Sequence, residues 1–210
     1  MTEKEVEDLC RMVKLGVDLS RPKYNYRPKT KEELIDLVKK LIKERGNEAD
    51  LNDVDVSQIT DMNGLVAWSK FNGNISKWNV SNVKNMGDMF HGSQFNGDIS
   101  SWNVSRVEDM HCIFASSKFN GDISKWNVSK VKDMDGMFWD SQFNGDISKW
   151  NVSGVEKMDW MFAFSEFNGD ISKWDVGRVE NMYKIFYNSK FTGDISKWIK
   201  KPKRYKKGPD

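Results

Sequence analysis

Three residues able to bind a metal or move a proton, His111, Asp135 and Asp159, hold one position in three successive 24-residue repeats. If the repeats stack, a histidine and two carboxylates approach one another, which is a possible metal set or acid/base group. The same position holds Asn63, Gly87 and Tyr183 elsewhere, and no nucleophile or pocket is implied beside it. No metal site and no catalytic role is therefore expected of the column. A second set, Asp98, Asp122, Asp146, Asp170 and Asp194, recurs just after a glycine. Stacked carboxylates repel unless each is hydrogen-bonded, shares a cation or faces water. The repeated GGxGxD calcium signature is missing, so each Asp is expected to cap local backbone N–H groups. A glycine-rich phosphate loop, a Ser/His/Asp arrangement and a Cys/His cluster are also missing. Cys10 and Cys112 form no CxxC pair and read as reduced thiols. The expectation is a protein that is not an enzyme and needs no cofactor.

A different chemistry stands where the repeats fail to repeat. Two pairs vary in each unit. The first reads Asn63-Gly64, Gly87-Asp88, His111-Cys112, Asp135-Gly136, Asp159-Trp160 and Tyr183-Lys184. The second reads Ala67-Trp68, His91-Gly92, Ala115-Ser116, Trp139-Asp140, Ala163-Phe164 and Tyr187-Asn188. They lie between apolar positions that do repeat, so their side chains are expected to point largely outward. Trp139, Trp160, Phe164, Tyr183 and Tyr187 fall here, toward the C-terminal units. Large exposed rings anchor interfaces. With His111, Asp135 and Asp159 they form the candidate partner-binding set.

These side chains must be held by the repeat itself. Phe71, Phe95, Phe119, Phe143, Phe167 and Phe191 recur every 24 residues without a slip. Trp78, Trp102, Trp126, Trp150, Trp174 and Trp198 do the same. Equivalent residues of stacked coils lie about 4.8 Å apart, so each apolar position becomes a buried ladder. The spacing mixes twos and threes, which fits short straight pieces joined by turns. A strand is expected near 83–86, a helical or 3₁₀ turn near 88–90, and a second extended piece near 98–102. Coils are expected to begin near residues 47, 71, 95, 119, 143, 167 and 191, so that the repeats span 47–198.

Ahead of them, residues 1–46 are expected to form a helical cap. Thr2 with Glu5, and Thr30 with Glu33, read as capping boxes. Leu34, Leu37, Val38, Leu41 and Ile42 make an apolar stripe that stops at Gly46, a candidate C′ glycine. Residues 199–210, IKKPKRYKKGPD, form a basic tail expected to be disordered. Its run from Lys200 to Lys207 is the chain's only hint of nucleic acid, and a solubilising role is expected of it.

The units FNGDISKWNVS and VKNMGDMF resemble the BspA-like leucine-rich repeat family, the bacterial surface protein repeats. The stretch YRPKTKEELIDLVKKLIKERGNEADLNDVDVSQITDM is similar to the segment that precedes them in that family. The resemblance covers about residues 25–198. It implies a leucine-rich-repeat-like β-solenoid and no catalytic residues, and many members are surface adhesins. Net charge is only +2, so bulk composition does not mark a polyanion binder. No apolar run is long enough to cross a membrane, and MTEKEVEDLC lacks the layout of a secretory signal. The expected function is a cytoplasmic, non-enzymatic module that binds a partner protein through its variable aromatic face. One alternative is a secreted or surface adhesin. Another is an intracellular inhibitor or decoy from a phage or mobile element, acting on a host protein.

Overall fold

The computed structural model describes Val6 and residues 24–198. The Thr2/Glu5 capping box and the basic tail lie outside these residues. Helix α1 spans Lys31–Arg45. It starts where the sequence says: the Thr30 hydroxyl accepts the Glu33 N–H at 3.2 Å, and the Glu33 carboxylate accepts the Lys29 N–H at 2.7 Å. Thus Glu33 reaches back to the residue before the N-cap and not to the N-cap N–H, so only the Thr30 half of the expected capping box forms. At the other end Gly46 takes φ +89° and donates to the Ile42 carbonyl. Leu34, Val38 and Leu41 are buried against the first coil. An Arg45–Asp53 ion pair at 3.0 Å fastens the helix end.

Beyond α1 the chain winds through near-identical coils joined by hydrogen bonds at an offset of 24 residues. The expected leucine-rich-repeat-like β-solenoid is not what forms. Among the described residues α1 is the one helix, and there is no strand or sheet. Among the described residues parallel pairing is confined to isolated bridges: a run Asp61–Asn85–Asp109–Asp133–Lys157–Asn181, and the pairs Tyr26–Val54 and Asp50–Asn74. The strand expected near 83–86 reduces to the single bridge residue Asn85. Turns replace the helical turn expected near 88–90 and interrupt the extended piece expected near 98–102.

Hydrogen-bond accounting explains why. Asn or Asp side chains capture the N–H two residues ahead, as Asn79 does for Ser81, Asn85 for Gly87 and Asp98 for Ser100. Other N–H groups bond back three residues, as Trp102 does to Ile99 and Val107 to Val104. Between Met86 and Ser93 the remaining donors alternate. Met86, Asp88, Phe90 and Gly92 reach the next coil, while Met89, His91 and Ser93 bond back within their own. A parallel strand also sends alternate donors to one neighbour. Here, however, the donors between them turn back within their own coil instead of reaching the coil on the other side, so no extended strand assembles. Every donor in that arc is nonetheless satisfied, as buried backbone demands.

The apolar ladders fill the interior. Phe95, Phe119, Phe143 and Phe167 stack at 6.3–6.4 Å, and Phe90, Phe114, Phe138 and Phe162 at 5.6–5.9 Å. The repeated tryptophans are buried, and each indole N–H reaches a carbonyl of the preceding coil, as Trp126 does to Ile99 at 3.1 Å. Each member of the Asp ladder accepts the N–H of the serine two residues on, at 2.8–2.9 Å.

Candidate functional site

The variable pairs sit on the arc of alternating donors, and that arc sets an unusual backbone demand. To turn twice in eight residues, the chain places the second residue of every pair in the left-handed region, with φ between +50° and +69°. Glycine meets this need at Gly64, Gly92 and Gly136. Elsewhere the position carries Trp68, Asp88, Cys112, Ser116, Asp140, Trp160, Phe164, Lys184 and Asn188. A side chain there costs about 1–2 kcal/mol relative to a right-handed residue. Asp and Asn tolerate the region, whereas Trp and Phe are true outliers. Strain of this kind collects at functional sites.

The five candidate anchors meet. Trp139 contacts Phe164 edge-on at 6.4 Å, and Phe164 contacts Tyr187 at 5.4 Å. Tyr187 contacts Trp160 at 6.0 Å, and Trp160 contacts Tyr183 at 5.6 Å. Edge-to-face packing leaves ring faces available, whereas the core phenylalanines bury theirs in near-parallel stacks. Phe164 remains 39% exposed, and the other four rings are half-buried. The side chains are thus less fully outward than the sequence pattern suggests, and Ala115 and Ala163 of the variable pairs are completely buried. Four of the rings, Trp139, Trp160, Phe164 and Tyr187, wall an open groove of about 780 Å³, whose lining also includes Asp135, Asp159 and Lys184.

The groove has its own electrostatics. Asp135 accepts the Asp159 N–H at 2.7 Å, and Asp159 accepts the Tyr183 N–H at 2.6 Å. Each bond spends one carboxylate oxygen on the following coil. Burial pushes the Asp135 carboxyl up to about 6, against the opposing pull of the Asp159 N–H. Lys184 folds its ammonium over three rings, 4.6 Å from Tyr187, 5.2 Å from Trp160 and 5.3 Å from Tyr183. The Cys112 thiol is pushed up to about 11 by burial and nearby carboxylates, so it is not poised as a thiolate nucleophile.

His111 does not join Asp135 and Asp159. Its Nδ1 lies 2.7 Å from Asp109 and its Nε2 lies 3.1 Å from Asp88, which in turn meets His91 at 2.8 Å. The expected column therefore divides into a carboxylate pair in the groove and a histidine relay beside it. Among the described residues no cluster of three or more His, Cys, Asp or Glu could hold a metal. Burial lowers the His111 pKa, but Asp109 and Asp88 outweigh it and raise it above 6.5. A folded-state pKa raised above the unfolded value means that protonation favours the fold. That contribution is fully present below about pH 6.5 and fades as pH rises through the raised value. His111→Gln is expected to flatten this part of the profile. Unfolding midpoints of both proteins, measured across neutral pH, would check it, and parallel curves would contradict it.

Two elements of this face escape the sequence pattern. Trp68 is 71% exposed and leans on His91 at 4.8 Å. It packs where a Cβ at Gly92 would collide with the indole. Lys184, in the groove wall, is no candidate by sequence, because a lysine reads as solvated surface. The clue present in the chain is the glycine that recurs as the second residue of a pair, at positions 64, 92 and 136. It marks a left-handed site and flags the bulky residues that share it.

A family model, DUF285, Mycoplasma protein of unknown function, matches residues 36–142 and again residues 116–207, which together cover most of the chain. No curated protein and no solved structure matches.

Proposed function

The chain belongs to the DUF285 family, whose function is unknown, and we propose that it is a non-enzymatic module that binds a partner protein through the aromatic groove of its C-terminal coils. The observation that carries this is the meeting of five rings at unrepeated positions, two of them on left-handed backbone. Each coil already repeats what packing requires. Rings added outside those ladders, at a conformational cost, are retained for something other than packing. The protonated Cys112 thiol and the doubly bonded His111 ring support binding over catalysis. Among the described residues no helix is long and apolar enough to cross a membrane.

The test is capture from a lysate of the source cell by the immobilised full chain, beside a Trp139→Ala/Trp160→Ala double variant. A partner held by the wild type and released by the variant is the expected result, provided both chains unfold at similar temperature. A partner retained equally by the folded variant would place the binding surface elsewhere.

A further inference from the structure

The contents of the groove point to the chemistry of what fills it. We propose that the groove receives a lysine or arginine side chain from a basic segment of the partner protein, seated between the ring faces and the Asp135 and Asp159 carboxylates. The proposal deepens the binding-face assignment above and rests on it.

The first support is that the rings already hold a cation. The Lys184 ammonium lies within 4.6–5.3 Å of three ring centroids, inside the roughly 6 Å range of cation–π attraction. The cluster therefore has the size and ring orientation that an ammonium needs, and Lys184 acts as its internal occupant. The second support is the carboxylates. Asp135 and Asp159 each commit one oxygen to a backbone N–H. Neither has a bonded partner for its second oxygen among the described residues. The neighbouring Lys157 is already paired with Asp133 at 2.7 Å. Lys184 is thus the lone cation among the groove-lining residues, against two carboxylates. An apolar or acidic insert would cover these carboxylates without compensation, which is costly. A basic side chain instead pairs with them and lies against the rings at the same time. The same geometry predicts a dependence on pH. The Asp135 carboxyl titrates near 6 in the free chain, so affinity falls as the solution is acidified through that value.

The experiment is an intrinsic-fluorescence titration of the full chain with three short peptides: an oligolysine, an oligoglutamate and an uncharged Ser/Tyr peptide. Oligolysine is expected to bind saturably and more tightly than the others, and to weaken with added salt. An Asp135→Asn/Asp159→Asn double variant keeps the acceptors for the backbone N–H groups but removes the charge. It should weaken oligolysine binding by about 10-fold or more, or about 1.4 kcal/mol. Lys184→Gln should strengthen binding by removing the internal competitor. Oligolysine binding that is unchanged in the Asp variant, or no tighter than that of oligoglutamate, overturns the proposal. If the uncharged peptide binds instead, and does so through Trp139 and Phe164, the binding face stands and its cationic chemistry is wrong. If no peptide depends on those rings, and the capture experiment also ignores them, both fail together.

Discussion

Phe138→Ala is expected to destabilise the protein by about 3–5 kcal/mol. Phe138 is fully buried and touches both neighbouring coils, stacking on Phe114 at 5.9 Å and on Phe162 at 5.6 Å. It also faces Phe143 at 4.4 Å and the Trp150 indole at 6.4 Å. The cavity left by truncation would be walled by rings that the ladders fix on every side, so it cannot collapse cheaply. Each coil packs mainly on the coils beside it. A fault in the middle therefore weakens the coupling between the two ends as well as overall stability. Urea unfolding followed by tryptophan fluorescence should show a lower midpoint and a shallower transition. An unchanged midpoint would mean that the Phe ladders do not carry the fold.

Trp160→Ala should have the opposite signature. Truncating a buried interface aromatic costs about 2–4 kcal/mol of binding, roughly 30- to 1,000-fold in affinity. Trp160 touches Tyr183 and Tyr187 edge-on and carries Lys184 over its face, so truncating it removes the centre of the groove. The folded state gives up those edge-on ring pairs, about 0.5–1.5 kcal/mol each beyond the area they bury, and the Lys184 contact, which is less than the loss of a fully buried ladder ring. Affinity for the captured partner, measured with purified protein, should therefore collapse while unfolding shifts little. Intact binding with a large drop in stability would identify Trp160 as part of the core.

The contrast between these two residues shows what can be read in the chain. Phe138 repeats, and its burial follows from the period alone. The same holds for the tryptophan ladder, while Thr30 and Gly46 mark the ends of α1 by their capping chemistry, independently of the period. Trp160 does not repeat, and that irregularity marks the rings that the structure brings together around one groove. The absence of strands is not legible. A 24-residue period fixes which residues stack, yet it does not say how many consecutive N–H groups are left to pair. Here the Asn and Asp side chains and the turns back three residues consume them. The left-handed sites are hidden for a related reason, since φ is set by where the coil must turn and only the glycines at 64, 92 and 136 betray it. His111 shares a column with Asp135 but bonds to Asp109 and Asp88. A side chain chooses its neighbours in its own and the preceding coil by rotamer, which the repeat does not encode.

The most direct test of whether these rings are surplus to the fold, as their assignment to a binding surface requires, is the urea unfolding free energy of a Trp160→Gly/Phe164→Gly variant. Glycine relieves left-handed strain at φ +59° and +58°, a gain of about 1–2 kcal/mol per site. The four edge-to-face pairs removed with the two rings, at about 0.5–1.5 kcal/mol each, offset that gain. The expected result is a variant within about 1 kcal/mol of wild type, or more stable than it. A destabilisation of about 3 kcal/mol or more, the range of a truncated core aromatic, would show that the fold needs these rings and would contradict their assignment to a binding surface.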